Sequence, residues 1–255
     1  MGELVKLERI GKVLLITLNR PEARNAINLE TAQELAQALD ELDNSPDVAV
    51  GVLTGAHQTF CAGMDLKAFA KTGQRPYVDD RGFAGICERP PRKPLIAAVE
   101  GYCLAGGFEI ALSCDLIVAS SQAMFGLPEV KRGIVPGSGG MIRLPSRVPY
   151  HVAMEMVLTG GMYPAERMAE LGLVSRLADE GQAREQALEL AAQIAANGPL
   201  AVQTAKQVIA ASRDWRQDQM FDLQRPRIAN IFTSADAKEG ATAFAEKREP
   251  VWQGK

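Results

Sequence analysis

The sequence predicts an α/β protein with a mainly parallel sheet. Apolar runs typical of buried strands fall at 13–18, 48–53, 95–99 and 116–119. Helical or loop segments separate these runs, and strands that alternate with helices favour parallel pairing. No strand pattern follows residue 180, so the C-terminal quarter is predicted to be helical.

The first elements are predicted as a β-hairpin and an amphipathic helix. Residues 4–8 alternate weakly between apolar and polar, and we expect them to pair with the strand at 13–18. Between residues 29 and 42, apolar residues recur at spacings of three and four, which predicts a helix with Asn28 as its N-cap. Further helices are predicted at 183–196, 200–211 and 236–244. The proline-containing stretch 75–92 is typical of a mobile segment or lid.

Length, composition and charge narrow the class of protein. The 255 residues are 47% hydrophobic and 23% charged, as in soluble globular chains, which excludes a disordered chain, a collagen and a coiled coil. The net charge of -3 argues against nucleic acid as a partner. No apolar run reaches the roughly 18 residues of a membrane span, and the first 20 residues lack a signal-peptide pattern. We therefore expect a cytoplasmic protein with no membrane partner.

Several common chemistries lack their motifs. The four cysteines contain no C-x-x-C pair and are predicted to be buried free thiols in a reducing compartment. Neither histidine, His57 or His151, has metal-binding spacing, so no metal is predicted. The absence of G-x-S-x-G, of a P-loop and of a dinucleotide-binding motif argues against serine hydrolysis, nucleotide hydrolysis and hydride transfer.

Two turns rich in small residues follow predicted strands. Residues 59–66 lead into a short helix and offer unpaired backbone N–H groups, although an ordinary strand-to-helix connection has the same pattern. In residues 100–109, Gly106 and Gly107 stand at a helix start, where a ligand can approach the backbone closely. Donors at such a place can hold a developing negative charge, as an oxyanion hole does.

Two glutamates are candidates for acid–base chemistry. Glu109 lies in the first turn of the helix after Gly106, where it could instead only stabilise the helix dipole. Glu129 follows a proline in the glycine-rich and apolar segment 125–140. It is either an acid or base with a raised pKa or an ordinary loop carboxylate. Two carboxylates beside a donor pair suit proton transfer next to a thioester or ketone carbonyl.

Six stretches in order along the chain resemble the crotonase family, the enoyl-CoA hydratase/isomerase superfamily. They are NRPEARNA (19–26), FCAGMDL (60–66), KPLIAAVEGYCLAGGFEIALSCDLIVAS (93–120), FGLPEVKRGIVPGSGG (125–140), MEMVLTG (154–160) and AFAEKREPVW (243–252). Together they cover essentially the whole chain. The resemblance implies a spiral of β-β-α units at 1–195 and a helical C-terminal trimerisation region at 196–255. It also implies an acyl-CoA substrate, no cofactor apart from the coenzyme A in that substrate, and a homotrimer or a homohexamer built as a dimer of trimers.

The resemblance also assigns site residues. The oxyanion donors are the N–H groups of Met64 and Gly106. Glu109 orients and deprotonates the water and Glu129 supplies the proton to the α-carbon, or the two share both tasks. Coenzyme A contacts the residues that match the family's binding positions: Ala23, Arg24, Ala62, Asp65 and Leu66, with Phe244 and Lys247 often reaching it from a neighbouring subunit.

The implied activity is that of an enoyl-CoA hydratase, the syn addition of water to a 2-enoyl-CoA. The AGGFE and LPE stretches and the C-terminal ending look most like the carnitinyl-CoA dehydratase branch, which hydrates crotonobetainyl-CoA. The family resemblance also leaves open an enoyl-CoA isomerase and a non-catalytic acyl-CoA binding protein. Two departures from the family pattern, Met64 and Phe108, replace smaller residues and argue against long or branched acyl chains.

Overall fold

The structure, a computed structural model, describes residues 3–255. Its strands are β1 (Val5–Ile10), β2 (Val13–Leu18), β3 (Val50–Gly55), β4 (Tyr77–Val78), β5 (Gly82–Phe83), β6 (Leu95–Val99), β7 (Tyr102–Leu104), β8 (Leu116–Ser120), β9 (Met124–Gly126), β10 (Met162–Pro164) and β11 (Arg176–Ala178). Its helices are α1 (Leu29–Asn44), α2 (Leu66–Thr72), α3 (Gly106–Ser113), α4 (Gly140–Arg143), α5 (Tyr150–Thr159), α6 (Ala165–Glu170), α7 (Ala183–Ala195), α8 (Pro199–Ser212), α9 (Met220–Ile228) and α10 (Ala235–Glu246).

Two sheets carry the fold. The six-stranded sheet has the order β1-β2-β3-β6-β8-β11, and every pair in it is parallel except the β1–β2 hairpin. The three-stranded sheet has the order β10-β9-β7. The chain passes from β6 to β7, through α3 to β8 and then to β9, so successive strands alternate between the sheets. The predicted α/β class and the spiral of β-β-α units are confirmed.

The local predictions hold with one shift. The hairpin forms, and the side chain of Asn28 caps α1 by accepting the N–H of Thr31 at 2.9 Å. The strand predicted at 48–53 begins instead at Val50. The N–H of Val48 donates to the carbonyl of Ser45, so Val48 belongs to the turn that follows α1.

The two ends of the helical region pack differently. Helix α7 lies on the six-stranded sheet and buries four alanines, a spacing of four residues that lets the helix backbone approach the strands closely: Ala183, Ala187, Ala191 and Ala195. Helices α8 and α9 bury no residue within the chain, and Phe221 and Phe232 stay 67% and 77% exposed. The division of the chain at residue 195 stays a prediction.

The stretch 75–92 is more tightly packed than predicted. Strands β4 and β5 pair within it, and Phe83, Ile86 and Cys87 are buried in the core. Arg81 is also buried and pairs with Asp40 of α1. The prediction of a mobile lid is therefore wrong for residues 81–87, because their apolar side chains help to fill the core.

All four thiols are free and buried, as predicted, whereas the reducing compartment stays a prediction. Within residues 3–255, no helix has both the length and the apolar composition needed to cross a bilayer.

Candidate active site

Glu109 is held at the start of α3 by backbone donors from a distant loop. Its Oε1 atom accepts the N–H of Ser138 at 2.6 Å and the N–H of Gly140 at 2.9 Å. A Cβ atom added at Gly140 would lie only 3.1 Å from the same oxygen. Glycine at position 140 therefore allows the donor loop to come this close, and Glu109 has a fixed orientation.

Burial and hydrogen bonding act on Glu109 in opposite directions. The side chain is only 3% exposed, and this burial raises its pKa. The N–H groups of Gly140 and Ser138 and the positive charge of Arg143 oppose the rise because they stabilise the ionised form. No hydrogen bond within residues 3–255 involves Oε2 of Glu109, so that oxygen is free to accept a proton.

Glu129 lies in a less polar environment. It stands on the 3-10 turn Pro128–Arg132, and its Oε2 atom is buried without a hydrogen-bond partner among the described residues. Burial raises its pKa to about 7, and the negative charge of Glu109 contributes to the rise. Near neutral pH a large fraction of Glu129 is therefore protonated and able to donate a proton.

The two predicted oxyanion donors lie in adjacent segments. Cys61 and Cys103 form a parallel bridge, which places residues 61–64 beside residues 103–106. A Cβ atom added at Gly63 would lie 3.0 Å from the nitrogen of Gly106. Neither the N–H of Met64 nor that of Gly106 donates to a protein acceptor within the described chain. Both N–H groups are therefore unpaired within residues 3–255.

Ala105, directly before Gly106, has an unusual backbone. Its φ of 52° and ψ of -130° lie in a region that residues with a Cβ atom rarely adopt. Its carbonyl accepts the N–H groups of Phe108 and Glu109, and its own N–H donates to Gly126. These bonds hold the sharp change from β7 to α3, which leaves the N–H of Gly106 unpaired.

The glycine at position 106 has a packing role as well as the predicted ligand role. A Cβ atom there would lie 2.5 Å from Cζ of Phe83, so the Phe83 ring fills the space above the helix start. Phe83 also packs edge-to-face with Tyr77, with ring centroids 6.0 Å apart. We call Tyr77 and Phe83 the aromatic wall.

Sequence reasoning missed the residues that join this wall to Glu109. The hydroxyl groups of Tyr77 and Ser138 form a hydrogen bond of 2.9 Å, and the guanidinium of Arg75 donates to the Tyr77 hydroxyl at 2.8 Å. The glycine-rich pattern at 137–140 marked the loop, but no local pattern connects it with Tyr77, which lies 61 residues from Ser138.

Five of the predicted coenzyme A contacts lie close together. The N–H of Ala62 donates to the carbonyl of Arg24 at 3.1 Å, which joins the turn at 21–24 to the stretch before α2. Asp65 caps α2 and forms an ion pair with Arg20 at 2.9 Å. These contacts bring together the five residues of the first group: Ala23, Arg24, Ala62, Asp65 and Leu66.

The other two predicted contacts lie on the C-terminal helix. Phe244 is 88% exposed, and Lys247 is the C-cap of α10. No hydrogen bond of the described chain connects either residue with the turn at 20–26 or with α2. Their role in binding coenzyme A stays a prediction that requires a neighbouring subunit.

A cavity of about 420 Å³ lies elsewhere. It opens at the ends of β3 and β6, where polar side chains including His57, Glu100 and Arg184 line it. Neither Glu109 nor Glu129 lines this cavity. The candidate active site therefore lies at the two carboxylates and the unpaired N–H groups, because these groups can transfer protons and stabilise negative charge.

The geometry defines a class of protein. Two buried carboxylates beside two unpaired backbone donors are suited to an enzyme that moves protons next to a carbonyl group and stabilises the resulting enolate. A family model described as enoyl-CoA hydratase/isomerase matches residues 8–255. The chain belongs to this family.

The relatives agree with this membership over the full chain. The enoyl-CoA hydratase EchA19 of Mycobacterium tuberculosis is 42% identical over 98% of this chain and 96% of its own. A carnitinyl-CoA dehydratase of Proteus mirabilis is 40% identical, with full coverage of both chains. The crystal structure of the enoyl-CoA hydratase EchA1 from Mycobacterium marinum superposes with a TM-score of 0.97 at 54% identity, again with full coverage of both.

Proposed function

We propose that this family member is an enoyl-CoA hydratase, a lyase that adds water reversibly across the 2,3 double bond of an enoyl-CoA thioester and forms a 3-hydroxyacyl-CoA. The observation that carries the proposal is the difference between the two glutamates. Glu109 has two backbone donors on one oxygen, whereas Glu129 has a buried oxygen with no partner among the described residues and a pKa raised to about 7. Hydration needs one base and one acid, and this pair supplies both.

The free backbone donors stabilise the enolate. As water adds to C3, negative charge develops on the thioester oxygen. The N–H groups of Met64 and Gly106 are unpaired within residues 3–255, and we assign them to this oxygen. Donors fixed before the reaction need no rearrangement as the charge forms, which is why such a pair lowers the barrier.

Glu109 acts on the water and Glu129 acts on the α-carbon. The N–H bonds to Oε1 stabilise the ionised form of Glu109, and its Oε2 accepts a proton from the attacking water. Protonated Glu129 delivers its proton to C2 of the enolate. One proton leaves the water and one reaches the substrate, so the sum is addition of H₂O. Proton exchange with solvent restores both carboxyl groups.

Coenzyme A is bound as part of the substrate, so the reaction needs no separate cofactor. We assign its adenine end to the backbone of Ala23, Arg24, Ala62, Asp65 and Leu66. The hydrogen bond from Ala62 to Arg24 supports this assignment, since it joins the two segments into one surface.

A trimer or hexamer completes this binding surface. Phe244 is 88% exposed in the single chain, and α8 and α9 form an apolar groove of about 330 Å³ that includes Ile209 and Phe232. Burial of such faces favours association. Light scattering at micromolar concentration is expected to give three or six times the 27.5 kDa of one chain. A mass of one chain contradicts the assembly and the roles of Phe244 and Lys247.

A cytoplasmic location suits the four free thiols.

A panel of thioesters tests the activity. Four-carbon and ten-carbon 2-enoyl-CoA substrates are mixed with the protein, and hydration is followed as loss of the enoyl-thioester absorbance. We expect turnover of the four-carbon substrate. A protein that binds acyl-CoA without turnover, or that only shifts a 3-enoyl double bond to position 2, contradicts the proposal. Preferred turnover of crotonobetainyl-CoA assigns the protein instead to the carnitinyl-CoA dehydratases.

A further inference from the structure

We propose that Arg75 is a specificity-determining residue that disfavours positively charged acyl groups at the active site. The inference rests on the proposed hydratase function and narrows its substrate class to enoyl-CoA thioesters whose acyl group is neutral or negatively charged. It separates this protein from a hydratase of substrates with a trimethylammonium group. The aromatic wall, the position of Arg75 and the charges around it carry the inference.

The aromatic wall lies against both halves of the active site. Phe83 fills the space that a side chain at Gly106 would need, beside the oxyanion donor. Tyr77 is hydrogen-bonded to Ser138, whose N–H donates to Glu109. An acyl group that lies between Glu109 and the oxyanion donors therefore has Tyr77 and Phe83 as its neighbours.

Aromatic rings of this kind bind quaternary ammonium groups when their faces are open. One face of Tyr77 is occupied, because Cζ of Arg75 lies 4.3 Å from its ring centroid. The same guanidinium donates to the Tyr77 hydroxyl at 2.8 Å. A trimethylammonium group that approached this face would therefore meet a side chain of the same charge.

The positive charge of Arg75 is not neutralised by a neighbour. No carboxylate lies within ion-pair distance of it among residues 3–255. Asp80, close by on the β4–β5 hairpin, is paired with Arg89 at 2.8 Å, and Asp79 makes no ion pair in the described chain. Arg75 is exposed beside this hairpin, so water and salt screen its charge in the free enzyme, and a bound acyl group against Tyr77 reduces that screening.

Positive charges near the catalytic carboxylates offset part of the attraction that these carboxylates have for a cationic acyl group. Oε1 of Glu109 already accepts two N–H groups, and Arg143 lies close enough to act on its charge. Arg132 acts on Glu129 in the same way. A fixed cation in the acyl group would meet guanidinium groups near both carboxylates, whereas a neutral chain would not be affected.

The experiment compares three short substrates that differ in the charge of the acyl group. They are crotonyl-CoA (neutral), crotonobetainyl-CoA (cationic) and glutaconyl-CoA (anionic). For the wild-type protein we expect kcat/KM for the cationic substrate to be at least about tenfold below that for the neutral one, mainly through KM, because like charges repel at short range. The anionic substrate is expected to equal or exceed the neutral one.

Variants at position 75 test whether the charge is responsible. We expect Arg75→Gln to raise the cationic-to-neutral ratio of kcat/KM about tenfold and Arg75→Glu to raise it further. Arg75→Lys keeps the charge without the planar stack, and we expect it to keep the wild-type ratio. Because the ratio compares two substrates on the same variant, a change in turnover that both substrates share leaves it unaltered. Arg167→Gln, at an exposed arginine of α6 paired with Glu170, is the matched control and leaves the ratio unchanged.

The results distinguish failure of the role assigned to Arg75 from failure of the proposed hydratase activity. If crotonyl-CoA is hydrated but the ratio does not respond to Arg75→Glu, the inference is wrong and the hydratase proposal stands. The inference is also wrong if Arg75→Lys behaves like Arg75→Gln, because the role is then structural, or if the wild-type protein prefers the cationic substrate. If wild type hydrates none of the three substrates, the proposed function fails and the inference fails with it.

Discussion

The start of α3 and the 3-10 turn at 128–132 each present one buried glutamate whose pKa is raised by burial, but the two glutamates differ in their hydrogen bonds. At α3, the backbone of a loop about 30 residues further along the chain supplies two N–H groups to Glu109. At the 3-10 turn, Oε2 of Glu129 has no partner within the described residues, and burial raises its pKa to about 7. In the proposed mechanism, the surrounding backbone, rather than the residue type, decides which carboxyl group is the base and which is the acid.

The largest effect is expected from removal of either ionisable group. Glu109→Gln and Glu129→Gln keep the shape of the side chain but cannot transfer a proton. Each is expected to lower the hydration rate of crotonyl-CoA about 10²–10⁴-fold, the usual weight of general acid–base catalysis. Binding of a saturated acyl-CoA, measured by calorimetry, is expected to change little. Near-normal turnover by either variant shows that the role assigned to that residue is wrong.

Displacement of an oxyanion donor is expected to have the next largest effect on activity. Gly106→Ala brings a Cβ atom to 2.5 Å from the ring of Phe83; because that ring is buried in the core and has little room to move, we expect the helix start and its N–H to shift. Loss of such a donor typically lowers kcat by about 10²–10³-fold, and we expect kcat/KM for crotonyl-CoA to fall by this amount. Circular dichroism shows whether the variant is folded.

A neighbouring substitution is the control for this prediction. Ala105→Gly keeps the N–H of Gly106 and relieves the positive φ of 52° at position 105. It is expected to keep kcat/KM within about threefold, with at most about 1–2 kcal/mol change in the free energy of unfolding, because relief of strain and the greater flexibility of the unfolded chain oppose each other. A folded Gly106→Ala protein with normal activity contradicts the oxyanion assignment.

Glu109 and Gly106, the residues in these tests, were identified from patterns of neighbouring residues in the sequence. Glu109 lies three residues after Gly106 on the same helix turn, and the apolar runs of the parallel strands are continuous in sequence. The α/β class and the position of Glu109 as a candidate for acid–base chemistry were therefore predictable from short windows.

The partners of these residues were not predictable in this way. Ser138 and Gly140 reach Glu109 across 29 and 31 residues, and Tyr77 meets Ser138 only because the β4–β5 hairpin packs into the core. Such contacts depend on the whole fold, so residue spacing does not reveal them. The unpaired oxygen of Glu129 is likewise a property of its surroundings, and the sequence left both of its roles open.

The pH dependence of kcat/KM tests the role of Glu129 as the acid. In the hydration direction Glu129 must be protonated, and its pKa is raised to about 7. We expect kcat/KM to fall about tenfold per pH unit above pH 7, since this parameter reports the pKa values of the free enzyme. In Glu129→Gln the residual activity is expected to lose this decline. A rate that stays level from pH 6 to pH 9 contradicts the role of Glu129 as acid.

The smallest effect concerns stability. The pKa of Glu129 is higher in the folded protein than its ordinary value of 4.5, so the folded state binds this proton more tightly. Ionisation of Glu129 therefore destabilises the fold fully above about pH 7 and not at all below about pH 4.5. We expect Glu129→Gln to be more stable to urea at pH 8 by about 1–3 kcal/mol, because the amide is neutral whereas the carboxylate must be buried with its charge, and equal to wild type at pH 4.5.

Glu109→Gln is the matched control in the urea experiment. Two N–H groups already satisfy Oε1 of Glu109, so its replacement is expected to give a smaller gain at pH 8. Equal gains for the two variants contradict the different environments assigned to the two carboxyl groups.

Exchange of the α-protons of a saturated acyl-CoA with D₂O, followed by proton NMR, tests directly which of the two glutamates acts on the α-carbon. Butyryl-CoA has no double bond to hydrate, so exchange requires only the oxyanion donors and the group that acts on the α-carbon. We expect wild type and Glu109→Gln to exchange these protons at rates within about tenfold of each other, and Glu129→Gln to be slower by about 10²-fold or more. Rapid exchange by Glu129→Gln, or loss of exchange in Glu109→Gln alone, contradicts the assignment of Glu129 to the α-carbon and Glu109 to the water.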